Sequence, residues 1–186
     1  EITLRLNLAL SAVEEAGRIT LQYFQQEFHV ERKADNSPVT VADREAEQLL
    51  RRRIGDAFAD DAIVGEEFPA KAGSSDYRWI LDPIDGTKSF ICGVPLYGTL
   101  VGVEHQDQSV IGVIHIPALG EWVYAAQGEG AWHRQGGGDP RPARVGDCPK
   151  LAEGTFLTSQ VDSFGPRGAA EVYQQLQEKA YITRNW

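Results

Sequence analysis

Residues 82–87 (Asp-Pro-Ile-Asp-Gly-Thr) constrain this chain more than any other stretch. They follow the apolar run Trp79-Ile80-Leu81, which predicts a buried strand, so the two carboxylates are expected where that strand ends. Pro83 lacks an N–H and Gly86 tolerates a positive φ, so together they predict a tight turn. The chain that leaves this turn at Thr87 is expected to begin a helix, whose free N–H groups suit a phosphate.

Two acids beside a phosphate-binding turn predict a Mg²⁺ ion that is held by Asp82 and Asp85 and shared with a phosphorylated substrate. The same residues also fit ordinary turn chemistry, in which an aspartate bonds its own backbone and a glycine closes the turn. The hexapeptide alone leaves both interpretations open. Enzymes that form an aspartyl-phosphate commonly carry Asp-x-Asp, whereas these acids are three apart and are not expected on one face. We therefore expect metal-activated water rather than a covalent intermediate.

Composition limits the class of protein and its partners. The chain has 186 residues, of which 42% are hydrophobic and 24% charged, as in a soluble globular protein. A formal net charge of −9 argues against a nucleic-acid partner, and no apolar run approaches the length that spans a membrane. The only cysteines, Cys92 and Cys148, show no metal-ligand spacing and no disulfide framework, which favours the cytoplasm.

The first 28 residues predict one amphipathic helix. Apolar side chains recur at helical spacing from Leu6 to Phe24, and the acids and arginines between them are expected to form a solvated face. A polar loop follows at residues 32–38. Lys33 and Asp35 within it would either close over a metal site or lie on the surface, and composition alone favours the surface.

A second helix is predicted at residues 41–55, where apolar residues recur from Ala46 to Ile54. Thr40 as the N-cap and Asp43 three residues later make an acidic variant of a capping box. Taken alone, this pattern favours a capping role for Asp43 over a role in chemistry.

A further apolar run at residues 62–65 predicts a short strand that ends at Glu66. The run before Asp82 also delivers acids at its C-terminal end. If the two strands are neighbours in one sheet, Glu66 lies beside Asp82 and Asp85. A glutamate alone is usually a surface feature, but the shared position at two strand ends favours a joint site.

Short β-rich runs follow the central motif and predict an antiparallel meander. Its strands are expected at residues 96–104, 110–116, 121–126 and 131–134. The aromatic side chains of this region are expected to pack in the core or on the sheet: Tyr97, Trp122, Tyr124 and Trp132. The histidines have no ligand-like spacing and are expected to be structural or surface groups: His29, His105, His115 and His133.

The pattern changes near residue 145, after a loop predicted at residues 135–142. A strand at 154–159, a helix at 166–179 and a strand at 181–183 then predict an α/β unit. We therefore expect an N-terminal α+β domain with an antiparallel sheet at residues 1–145, which carries the metal and phosphate site. Residues 146–186 are expected to begin an α/β domain that is incomplete, as in part of a longer protein.

Taken together, these residues resemble the inositol monophosphatase family of Mg²⁺-dependent, lithium-sensitive phosphatases. Residues 79–87 resemble the family's first signature, and residues 65–67 (Gly-Glu-Glu) and 39–43 (Val-Thr-Val-Ala-Asp) resemble its two upstream motifs in order and spacing. Residues 88–100 and the closing residues 184–186 are most similar to the histidinol-phosphate phosphatase branch. Inositol phosphatases of the family usually carry Asn-Phe and then His near positions 89–93.

The resemblance implies a layered αβαβα sugar-phosphatase fold, a homodimer, and a role for each motif residue. The implied metal ligands are Glu66, Asp82, Asp85 and the main-chain carbonyl of Ile84. The implied substrate-binding groups are Asp85 and the N–H groups of Gly86 and Thr87. The implied catalytic groups are Glu66 and the Thr87 hydroxyl, which would orient the attacking water, and Asp43, which would support that water or a further metal.

The activity implied by the resemblance is Mg²⁺-dependent hydrolysis of L-histidinol phosphate to L-histidinol and phosphate, a step of histidine biosynthesis. An inositol-1-phosphate phosphatase or a broad sugar-phosphate phosphatase is the enzyme alternative. A catalytically silent module that binds a metal or an anion is an alternative from a different class. The family's second signature, a Trp-Asp motif that supplies a further metal ligand, is expected beyond Trp186.

Overall fold

The structure, a computed structural model, describes residues 1–26, 30–32 and 38–185, with only the backbone described at 30–32, 38 and 39. The chain divides into two units, Glu1–Ala143 and Arg144–Trp186, and the domain assignment expected from the sequence stays a prediction. The residues that lie outside the described ranges include His29, Lys33, Asp35 and Trp186. The expectations for these four residues therefore stay predictions.

The first unit alternates helices and strands before it continues as strands alone. In chain order its described elements are α1 Ile2–Tyr23, β1 Val30–Arg32, β2 Pro38–Thr40, α2 Val41–Ala57, β3 Ala62–Gly65, β4 Tyr77–Asp85, α3 Thr87–Ile91, β5 Gly98–His105, β6 Gln108–Ile116, β7 Glu121–Ala126, β8 Gly130–Gln135 and β9 Arg141–Pro142. Strands β1 and β2 pair with each other as an antiparallel ribbon. The remaining strands form one sheet, which is seven-stranded within the described residues.

The sheet has the strand order β3-β4-β5-β6-β7-β8-β9. Strands β3 and β4 are parallel, and every later pair is antiparallel, so the predicted meander is confirmed. The expectation that residues 135–142 form only a loop was wrong, because Arg141–Pro142 pairs with β8 as a short edge strand. An edge position accommodates Pro142, which has no N–H to donate to a further strand.

Helices α1 and α2 pack against each other and against the sheet. The buried stripe of α1 includes Leu6, Val13 and Thr20, as its periodicity predicted. The helix ends at Tyr23, however, rather than near residue 28. Phe24 is already extended, and its ring packs on Tyr97 with ring centroids 5.2 Å apart. This tertiary contact, which helical periodicity does not report, draws the chain out of the helix.

Arg5 corrects the expectation that the charged residues of α1 are all solvated. Its side chain is 5% exposed, and its guanidinium donates two hydrogen bonds of 2.9 Å to the carboxylate of Asp61. The guanidinium also lies 3.6 Å from the ring centroid of Tyr77. Burial alone would raise the pKa of Asp61, but the hydrogen bonds from Arg5, Ser75 and Trp79 outweigh it, so the pKa is lowered.

The second unit contains β10 Thr155–Thr158, α4 Ala170–Lys179 and β11 Ile182–Asn185. Strands β10 and β11 are parallel, so the predicted strand-helix-strand alternation is confirmed. The helix begins at Ala170 instead of residue 166, because Gly168 has φ +67° and interrupts helical geometry just before it. No helix in the described part of the chain is both long and apolar enough to cross a membrane.

We expect Arg5→Met to lower the free energy of unfolding by about 3–5 kcal/mol, because it leaves the carboxylate of Asp61 buried without its cationic partner. Urea denaturation at pH 7 measures this loss. Arg18→Met is the matched control, since Arg18 pairs with Glu14 on the exposed side of the same helix and should cost at most about 1 kcal/mol. Equal losses in the two variants would contradict a structural role for the buried pair.

Candidate active site

The parallel pairing of β3 with β4 brings two acids together. Gly65 lies opposite Leu81 in the register of the two strands, so Glu66, the first residue after β3, lies beside Asp82, the next residue of β4. The expectation that the two strands are neighbours is therefore confirmed. Strand β4 runs through Asp85, so the two carboxylates lie at its C-terminal end, as the sequence predicted.

The segment from Asp82 to Asp85 is an irregular end of β4. The register with β5 shifts between these two residues, which allows Pro83 to lie in the strand without interrupting regular pairing. The hydroxyl of Thr99 on β5 donates a 2.9 Å hydrogen bond to the carbonyl of Pro83 and fixes the shifted segment. Gly86 follows with φ +87°, as predicted for the turn into α3.

The Asp82 carboxylate shows the turn chemistry that the sequence left open, together with a second feature. The backbone N–H of Ile84 faces this carboxylate and acts to lower its pKa, as in an aspartate at the start of a turn. Its Oδ1 atom, however, is buried and has no hydrogen-bond partner within the described residues. A buried carboxylate oxygen without a partner is costly, so turn formation alone does not account for this side chain.

The charge around Asp82 is negative. Burial raises the pKa of Asp82, and the charges of Glu66, Asp85 and Asp43 raise it further, to about 7. The negative charges of three other carboxylates therefore all act on Asp82. A divalent cation bound among them would remove both the repulsion and the unpartnered oxygen.

Asp43 lies at the first turn of α2 and forms the predicted capping box. Its Oδ2 accepts hydrogen bonds from the N–H of Thr40 at 2.8 Å and from the Thr40 hydroxyl at 2.6 Å. The side chain is buried, and its charge contributes to the raised pKa of Asp82. Capping and membership of the acidic cluster are thus both properties of this residue.

The start of α3 lies next to the acidic cluster in the chain. The N–H groups of its first turn, which begins at Thr87, have no acceptor within the helix and can face an anion. The Thr87 hydroxyl donates a 3.2 Å hydrogen bond to the carbonyl of Ile84. The Thr87 hydroxyl, to which the family resemblance assigns the attacking water, is thus bonded to the Ile84 carbonyl, to which the resemblance assigns the metal.

The donor set at this edge of the sheet suits Mg²⁺. Carboxylate and carbonyl oxygens are the ligands of hard cations, and the unpartnered Oδ1 of Asp82 is such a donor. The acids stand somewhat apart, since no three His, Cys, Asp or Glu side chains among the described residues have the geometry of a bound metal. The fit to the ion therefore rests on the buried, unpartnered Oδ1 of Asp82 and on the negative charges around it.

Sequence reasoning did not single out Glu47, which lies one helical turn after Asp43 on α2. Its side chain is fully buried, and its Oε2 accepts a 2.8 Å hydrogen bond from the backbone N–H of Glu67. The available signal was a charged residue between Ala46 and Leu50 on the apolar face of the helix.

Comparison with known proteins identifies the family. The family model that describes inositol monophosphatases matches residues 3–183 of the sequence. The chain is 39% identical to the histidinol-phosphatase of Chlorobaculum parvum, covering 97% of this chain and 68% of that protein. It is 34% identical to a chloroplastic bifunctional phosphatase of Arabidopsis thaliana, covering 91% of this chain but only 48% of the relative.

A solved structure extends the similarity to the fold. The extragenic suppressor protein SuhB of Bartonella henselae superposes with a TM-score of 0.88 at 25% identity, over 98% of this chain and 70% of that one. The α+β layered fold expected from sequence is thereby confirmed. The chain therefore belongs to the inositol monophosphatase family and is a phosphoric monoester hydrolase of that family.

Proposed function

We propose that the protein hydrolyses L-histidinol phosphate to L-histidinol and phosphate with the help of Mg²⁺. The observation that carries the metal chemistry is the buried, unpartnered Oδ1 of Asp82 among the charges of Glu66, Asp85 and Asp43. Support for the substrate comes from the similarity of nearly the whole chain to a histidinol-phosphatase. The homodimer and the cytoplasmic location expected from sequence stay predictions.

The residues that would hold the ion are Glu66, Asp82, Asp85 and the carbonyl of Ile84. When bound, Mg²⁺ supplies Lewis-acid chemistry, because it lowers the pKa of water and neutralises charge that develops on a phosphate ester. The N–H groups of Gly86 and Thr87 bind phosphate oxygens at the start of α3. Positioning and charge neutralisation are most of what a phosphoryl transfer requires of a protein.

Thr87 orients the attacking water because its hydroxyl already donates a hydrogen bond to the protein and is left to act as an acceptor. Its hydroxyl proton is directed at the carbonyl of Ile84, so the lone pairs of Oγ1 are left to accept a hydrogen bond from water. The Glu66 carboxylate accepts a hydrogen bond from the other O–H of the water, which turns the water's lone pair towards phosphorus. Asp43 supports this arrangement from the first turn of α2, where Thr40 fixes its carboxylate.

An inositol phosphatase with the same metal site is the second candidate. The family model that matches the chain describes inositol monophosphatases, and the Arabidopsis relative is named a bifunctional phosphatase. The two candidates share the groups that act on phosphate and differ in those that contact the alcohol. Substrate preference therefore separates them without testing the metal chemistry again.

We expect the catalytic efficiency for L-histidinol phosphate to exceed that for inositol-1-phosphate by at least about 100-fold, since a site that pairs with the amine and imidazole of histidinol would leave its polar groups unpaired against inositol. Phosphate release by the full-length protein with Mg²⁺ measures both values. A preference for inositol-1-phosphate would contradict the proposed substrate and leave the metal site standing. Failure to hydrolyse any phosphate ester would favour a silent binding module.

Mg²⁺ should bind more tightly as the pH rises from about 6 to 8, because Asp82 must lose its proton to the solvent. Its pKa is raised from 3.8 to about 7. Between these two pH values the folded metal-free protein keeps a proton on Asp82 that the unfolded chain has released. The contribution of Asp82 to metal-free stability is thus complete below about pH 4 and is lost as the pH rises through about 7. Below pH 7 we expect about a tenfold change in affinity per pH unit by calorimetry.

Asp82→Asn is the control for this pH dependence. The amide cannot titrate, so Mg²⁺ binding should be weak and nearly independent of pH. The variant should also melt no lower than the wild type at pH 8 without metal, because one repelling charge is gone. Affinity that does not change with pH in the wild type would contradict the clustered site.

Thr87→Ala should lower kcat by about 100-fold or more while KM changes little, because the hydroxyl acts on the water and not on the substrate ground state. Steady-state kinetics at saturating Mg²⁺ separates the two parameters. Thr87→Ser keeps the hydroxyl and should retain most of the turnover. A loss confined to KM would remove Thr87 from the orientation of water.

A further inference from the structure

Glu47 is a fully buried carboxylate that contacts the segment carrying Glu66. It lies on α2, and its Oε1 accepts a 2.7 Å hydrogen bond from Nε of Arg51. Its Oε2 accepts a 2.8 Å hydrogen bond from the backbone N–H of Glu67. Arg51 in turn donates a 2.9 Å hydrogen bond to the carbonyl of Phe68. The ion pair thus fixes the backbone immediately after Glu66.

Gly65 brings the same carboxylate against the backbone immediately before Glu66. A Cβ atom at position 65 would lie 2.8 Å from Oε2 of Glu47 and closer still to Oε1, a separation that real Cβ atoms do not adopt. Gly65 is not among the residues with positive φ, so space rather than backbone conformation requires glycine here. One carboxylate therefore contacts both chain neighbours of Glu66.

Burial of an ion pair is not an efficient source of stability. Desolvation of the two charges offsets most of their attraction, and apolar residues of similar volume would pack at least as well beside Leu50. The pair instead fixes the backbone conformation. Glu47 accepts a hydrogen bond from a backbone N–H and Arg51 donates one to a backbone carbonyl, and together these bonds define the path of the chain. The path defined here is that of residues 65–68.

We propose that Glu47 is a positioning residue that sets the location of the Glu66 carboxylate through the backbone. Asp43 lies four residues earlier on the same helix and is also buried. Helix α2 therefore positions Asp43 directly and Glu66 through Glu47. The proposal rests on the proposed function, in which Glu66 holds the metal and orients water. Loss of Glu47 should weaken metal binding before it affects contacts with the substrate.

Glu47→Gln tests this role because it keeps the volume of the side chain but turns an NH₂ group towards hydrogen-bond donors. We expect the Kd for Mn²⁺, measured by electron paramagnetic resonance on the full-length protein, to rise about 10- to 100-fold. The kcat for L-histidinol phosphate should fall at low Mg²⁺ and recover in part at high Mg²⁺. KM at saturating metal should stay within about twofold, as expected for a residue that does not touch the substrate.

Leu50→Ala is the matched control, because Leu50 is buried in the apolar core on the same helix but has no polar group that could hold the backbone around Glu66. It should lower the melting temperature through a cavity and leave the Kd for Mn²⁺ within about twofold. Gly65→Ala gives a second, independent test. Its Cβ should weaken Mn²⁺ binding in the wild type but add little in a Glu47→Ala background, where the opposing carboxylate is absent.

An unchanged Kd for Mn²⁺ and an unchanged kcat in a folded Glu47→Gln variant would overturn the positioning role. So would a rise in Kd in Leu50→Ala as large as that in Glu47→Gln, or full additivity of the Gly65 and Glu47 substitutions. If the wild type binds Mn²⁺ and hydrolyses phosphate esters while any of these results holds, this inference alone fails. If the wild type neither binds Mn²⁺ nor hydrolyses any ester, the proposed function fails and the inference fails with it.

Discussion

Repulsion among carboxylates is the physical constraint on which the site depends. Asp82 is partly buried, has one oxygen without a partner among the described residues, and lies in the field of Glu66, Asp85 and Asp43. Acids in water would move apart, whereas these are held by a parallel strand pair and the first turn of a helix. The fold therefore maintains a local excess of negative charge that a divalent cation relieves.

The rest of the first unit supplies the rigidity that this arrangement requires. Helices α1 and α2 cover the face of the sheet that carries Trp79, Leu81 and Val103, all of which are almost completely buried. Each large apolar side chain buried in this way contributes about 1.5–3 kcal/mol. That stability offsets both the repulsion at the strand ends and the buried charges of the Arg5–Asp61 pair. The destabilising charges and the apolar burial that offsets them thus belong to the same sheet and the helices packed on it.

The sequence was most informative where a pattern is local. Short β-rich runs predicted the meander, and the acids after residues 62–65 and 79–81 predicted a joint site at neighbouring strand ends. It was least informative where a distant partner decides the outcome. Arg5 is buried because Asp61, 56 residues away, accepts its hydrogen bonds. Glu47 is buried because its carboxylate accepts hydrogen bonds from a backbone N–H and an arginine. The hydrophobic periodicity of the helix does not indicate these partners.

Anomalous diffraction from crystals of the full-length protein soaked in Mn²⁺ would test the central claim most directly, because Mn²⁺ shares the preference of Mg²⁺ for oxygen ligands. The account predicts a peak bonded to Oδ1 of Asp82, with Glu66, Asp85 and the carbonyl of Ile84 as further ligands. A well-ordered site with no peak at Asp82, or with a peak held by other residues, would contradict it.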